Sequence, residues 1–112
     1  MPVSVRDLIC EFAKDMKALF GTDLCKVIVY GSYARGDFRE NSDVDVMLLV
    51  KTPQENIRQY NDAVSDCAFE YFMKYGIDIS PVIVNEEHFH YWSDNLPYYR
   101  NIKNEGVIVH AG

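Results

Sequence analysis

The stretch GSYARGDFRENSDVDVML runs from Gly31 to Leu48, and its two halves call for opposite charges. Gly31 and Ser32 stand straight after an apolar run, with Arg35 and Arg39 close behind, which suits an anion. Asp43 and Asp45 follow two positions apart, which suits a cation. The flanks supply the frame. Leu24 to Tyr30, LCKVIVY, is short and β-branched and reads as a strand stopped by Gly31. SDVDVMLLV reads as a second strand ending near Val50. Side chains alternate along a strand, so Asp43 and Asp45 point the same way, ~7 Å apart, with Val44 and Val46 on the other face. Carboxylates that close repel each other unless a positive charge intervenes. A hard divalent cation such as Mg²⁺ or Mn²⁺ is the usual partner for oxygen-only donors.

An isolated Asp-x-Asp is more often an ordinary strand start, so the context matters. A third acid, Asp78, sits in IDISPVIV (Ile77 to Val84), which reads as a third strand. Aspartate is disfavoured in strands, and a lone buried carboxylate is costly. If this strand lies beside the Asp43–Asp45 strand, Asp78 completes a three-carboxylate site. Otherwise it faces solvent on an edge strand, which Pro81 permits. Gly31 lets the backbone approach a ligand, successive N–H groups there can cradle a phosphate, and the Ser32 hydroxyl can bond its oxygen. The polar SYARGDFREN segment leaves room for a short helix near its start. It is not a Walker A loop. The forked guanidinium groups of Arg35 and Arg39 suit phosphate, the alternative being salt bridges to Asp37, Glu40 or Asp43.

The remaining elements follow closely. Ser4 with Asp7 resembles a capping box, and Leu8, Ile9, Phe12, Met16, Leu19 and Phe20 recur at helical spacing up to Gly21. Thr52, Pro53 and Glu55 read as the start of another helix with Ile57, Tyr60, Val64, Cys67, Ala68, Tyr71 and Phe72 on its apolar face, ended by Gly76. Asn85 caps a short helix, EEHFHYW. A further helix spans Leu96 to Asn104 and stops at Gly106, and VIVH forms a terminal strand or ordered tail. The order implies a single domain over 1–112 of the α/β (α+β) class, a small mixed β-sheet flanked by helices.

Composition narrows the function. The chain has 112 residues, a net charge of −6 and a pI of about 4.9, which disfavours an extended nucleic-acid surface. Three cysteines with no CxxC pair read as reduced thiols in a cytoplasmic protein rather than a disulfide framework or zinc site. The N-terminus lacks the pattern of a signal peptide, and no apolar run approaches the ~20 residues of a membrane span. His88 and His90 would not share a helix face, which disfavours a metal site. The Arg35–Asp37 RGD tripeptide carries no adhesion role without a secretion signal. Tyr91, Trp92, Tyr98 and Tyr99 read first as packing, with a partner or dimer interface as the second reading and a base-stacking shelf as a third.

Together these residues resemble the minimal nucleotidyltransferases (MNT domains) of the DNA polymerase beta-like superfamily. In that family a Gly-Ser is followed some ten residues later by Asp-x-Asp or Asp-x-Glu, as Gly31-Ser32 is here by Asp43-Val44-Asp45. The run from Gly31 to Val50 matches G-S-x-A-R-G-x-x-R-x-x-S-D-x-D-hydrophobic at nearly every specified position, and YYRNIKNEGVIVH resembles the final helix of many MNT proteins more weakly. The resemblance implies a polymerase beta-like core that moves a nucleoside monophosphate, AMP from ATP in the first instance, onto a hydroxyl. It implies that Asp43, Asp45 and Asp78 bind two Mg²⁺ ions, with Mn²⁺ as a substitute, and do the catalysis. Gly31 and Ser32 would contact the triphosphate, assisted by Arg35 and Arg39. Standalone members pair with a HEPN-domain toxin and act as the antitoxin by modifying its tyrosine. The alternatives are a non-catalytic antitoxin that masks its partner, and a nucleotidyltransferase acting on a small molecule such as an antibiotic, with a homo-oligomer forming the pocket.

Overall fold

A computed structural model describes residues 3–39 and 41–111. Helix α1 (Val3–Phe20) leads through a 3-10 turn (Gly21–Asp23) into β1 (Leu24–Tyr30) and the one-turn helix α2 (Ser32–Arg35). Strand β2 (Val44–Val50) is followed by a 3-10 segment (Gln54–Tyr60), α3 (Asn61–Tyr75), β3 (Ile79–Asn85), α4 (Glu86–Ser93), α5 (Pro97–Glu105) and β4 (Val107–Ala111). The sheet order is β3-β2-β1-β4. β1 runs antiparallel to β2 and β4, while β2 and β3 are parallel, joined by the α3 crossover. This is the mixed sheet flanked by helices that the sequence implied. No described helix is long and apolar enough to cross a membrane.

Strand alternation sorts the core onto two faces. Val27, Val29, Val44, Val46, Leu48 and Val50 pack with Phe12 and Met16 of α1 and with Val64 and Tyr71 of α3. Cys25, Ile28, Met47, Leu49 and Val84 face the other way, under Phe89 of α4 and Ile102 of α5. The β1–β2 ladder shifts register once, between Leu24 and Lys26, and then runs unbroken to Tyr30 opposite Asp45.

Several local expectations differ from the structure. α1 begins at Val3, so Ser4 lies inside the first turn and does not cap it. Thr52 is buried, and its hydroxyl donates to Asp23 Oδ2 at 3.2 Å rather than capping a helix. The chain after Pro53 winds as 3-10 before the α-helix starts at Asn61. Phe72 is exposed, off the apolar face of α3. β2 and β3 start at Val44 and Ile79, one residue after Asp43 and Asp78. Asn85 does cap α4, accepting from the His88 N–H, and Gly76 ends α3 at φ +70°.

Asp15 ties α1 to α3: the Tyr71 hydroxyl donates to its Oδ2 at 2.6 Å, and the Cys67 thiol donates to the same oxygen at 3.7 Å. Tyr71→Phe removes a hydrogen bond to a charged group, and a loss of about 2 kcal/mol is expected in urea denaturation. Burial, with Glu86 and Asp15 respectively, pushes the Cys25 and Cys67 thiols up to about 11, and burial with the bond to Asp15 raises Tyr71 as well. The folded chain therefore keeps protons that the unfolded chain releases. Their contribution is complete below about pH 9 and is lost as pH rises towards 11, so the urea midpoint is expected to fall across that window in reducing buffer.

Candidate active site

The ends of β1 and β2 set the site. Gly31 leaves the sheet at φ +74° and ψ −150°, a region that side chains rarely tolerate. A Cβ built there would collide with Oδ2 of Asp45. The phosphate-like turn and the second acid of the Asp-x-Asp are thus in contact across the ladder. The turn closes on itself: the Arg35 N–H donates to the Gly31 carbonyl at 3.1 Å, and the Gly36 N–H donates to the Ser32 carbonyl at 2.9 Å. Below it, Tyr33 is buried and stacks on Phe38 at 4.5 Å.

The three acids lie along one end of neighbouring strands. The Val44 N–H donates to the Asp78 carbonyl at 2.8 Å, which extends the β2–β3 ladder by one residue and sets Asp43 level with Asp78. Asp45 is half-buried, while Asp43 and Asp78 are exposed. Desolvation first, and the Asp43 carboxylate second, raise the Asp45 carboxyl above its usual range, against a smaller lowering by Arg35. The Asp78 carboxyl is raised by the same two causes, although its side chain is largely open to solvent. Asp43 is therefore coupled to both of the other acids. Among the described residues, no group of three His, Cys, Asp or Glu side chains is gathered closely enough to hold a metal ion. The oxygen-only donors and the like charge around Asp43 nevertheless fit a hard cation chemically.

Gly31, Ser32, Arg35 and Asp45 line a cavity of about 400 Å³. Arg35 Nε pairs with Asp37 at 3.3 Å, and both side chains are exposed, so little holds the guanidinium there. Arg39 lies outside this cavity, in the loop where its N–H donates to Ser42 Oγ at 2.8 Å. Among the described residues, neither Asp37 nor Asp43 forms an ion pair with it. Asp78 borders two smaller hollows of about 380 and 310 Å³, both walled by Phe72.

The far wall of the larger cavity belongs to α5: Tyr98, Asn101, Ile102 and Glu105. Sequence reasoning offers Tyr98 only as part of an aromatic cluster and misses Asn101 and Glu105. The available signal was their helical spacing from Tyr98. Of the other cluster members, Trp92 and Tyr99 pack against His88, and Tyr99 meets Phe89 edge-on at 5.5 Å, whereas Tyr91 is exposed.

The model of the nucleotidyltransferase domain matches residues 9–109. Three proteins of Methanocaldococcus jannaschii, each named as a proposed protein adenylyltransferase, are similar to the chain. MJ1305 is 38% identical over 71% of the chain, which spans about half of it (54%). MJ0141 is 41% identical over 96% of the chain and 100% of its own length. MJ0604 is 31% identical over 89% of the chain and 92% of its own length. A crystal structure of a proposed nucleotidyltransferase from Sulfolobus solfataricus shares the fold with a TM-score of 0.64 at 20% identity, covering 95% of this chain and 79% of that one. A toxin–antitoxin structure with AMP-PNP does so with a TM-score of 0.57 at 15% identity, covering 92% and 73%. The chain belongs to the nucleotidyltransferase domain family.

Proposed function

We propose that the protein transfers AMP from ATP to a tyrosine hydroxyl of a HEPN-domain toxin and so acts as its antitoxin. The contact between Gly31 and Asp45 carries the reading, because it joins a phosphate-suited turn to the second acid of the Asp-x-Asp in the lining of one cavity. The names of the M. jannaschii relatives support a protein acceptor, and the toxin–antitoxin neighbour with AMP-PNP supports the setting.

In this reading Gly31 and Ser32 hold the triphosphate. Arg35 leaves Asp37 for a phosphate oxygen, and Arg39 assists from the loop. Asp43, Asp45 and Asp78 would hold two Mg²⁺ ions, or Mn²⁺, which supply charge neutralisation at the phosphates. The acceptor oxygen attacks the α-phosphorus, its proton passes to Asp78, and the bond to the leaving pyrophosphate breaks. The hollows beside Asp78 leave room for the acceptor.

The test is to incubate the protein with a HEPN-domain partner, Mg²⁺ and each α-labelled NTP. Label from ATP is expected on the partner. A second reading, masking by contact, draws on the exposed Phe69, Phe72 and Met73 of α3. Neutralisation of the partner without any label would favour masking and sink the enzymatic reading.

A further inference from the structure

We propose that α5 binds the nucleoside of the donor nucleotide, with Tyr98 against the base and Asn101 pairing with its edge. This rests on the nucleotide-transfer reading above.

The cavity sorts its polar groups. Its cation, Arg35, and the turn of Gly31 and Ser32 are on one wall, while α5 contributes Tyr98, Asn101, Ile102 and Glu105. The basic side chains of α5 are directed elsewhere: Arg100 donates to the Asp94 carbonyl at 2.5 Å, and Lys103 pairs with the Asp94 carboxylate at 3.8 Å. The α5 wall therefore offers phosphate no cation and opposes it with the Glu105 carboxylate. A neutral nucleoside, with ribose hydroxyls that can donate to that carboxylate, suits it.

The wall is also held in place. Ile102 is buried, and Gly106 leaves no space between Ile102 and Ile28 for a Cβ, so the end of α5 lies close against β1. The Tyr98 hydroxyl bonds that of Tyr30 at 3.0 Å, and the two rings meet edge-on, yet Tyr98 remains 52% exposed. That leaves aromatic surface for a base. The Asn101 amide carries both a donor and an acceptor, the pair that adenine presents along its N6/N7 edge.

Isothermal titration of the whole chain in Mg²⁺ with ATP, GTP and inorganic tripolyphosphate tests the proposal. Tyr98→Ala and Asn101→Leu alter exposed side chains, and thermal melts verify that both variants fold. Each is expected to weaken ATP by about tenfold and to leave tripolyphosphate unchanged. Asn101→Leu is also expected to erase the preference for ATP over GTP. Unchanged ATP affinity, or an equal loss for tripolyphosphate, overturns the α5 assignment alone. A wild-type protein that binds neither ATP nor tripolyphosphate overturns the nucleotide-transfer reading with it.

Discussion

The Asp43→Asn/Asp45→Asn protein is expected to keep its fold and to lose AMP transfer by roughly 10³-fold or more, about 4 kcal/mol of transition-state stabilisation. Asparagine matches aspartate in shape but brings no charge to a cation. Stability should move the other way. Desolvation raises the Asp45 and Asp78 carboxyls first, and the like charge of Asp43 raises both further. Removing two of those charges relieves repulsion, so the melting temperature without metal should equal or exceed that of the wild type. Transfer assays and metal-free melts on one preparation check both halves. A double variant that still labels its partner at the wild-type rate would remove these acids from the chemistry.

Gly31→Ala is expected to damage fold and activity together. Alanine at φ +74° with ψ −150° costs about 2 kcal/mol in backbone strain alone. Its Cβ also collides with Asp45 Oδ2, so the carboxylate must move. A shift of about 1 Å in a catalytic group can cost around 10²-fold in rate. Gly21→Ala, at φ +61° with open space around its Cβ, carries the strain without the collision and serves as the comparison. Urea denaturation and transfer rates separate the two effects, and a Gly31→Ala protein with wild-type rates would show that Asp45 can move without consequence.

Much of this architecture is legible in the chain. LCKVIVY forms a strand from Leu24 to Tyr30 as its composition suggests, because β-branched residues and a terminal glycine are local signals. Asp43 and Asp78 read as strand residues but lie just before the strands, because strand ends are set by the ladder with a neighbour. Thr52 has the local chemistry of a cap, but Asp23, far back in the chain, takes its hydroxyl. The α5 wall is the least legible part. Spacing shows that Tyr98, Asn101 and Glu105 share a helix face, but not what that face looks onto.

The single register shift of the β1–β2 ladder, between Leu24 and Lys26, sits at the opposite end from Asp45. An inserted or deleted residue near it changes a region that already tolerates irregular pairing. The same change between Val27 and Tyr30 would turn Tyr30 to the other face of the sheet, and one between Asp45 and Leu49 would turn Asp45. In evolutionary terms, the protein can vary in length at one end of this hairpin and not at the other.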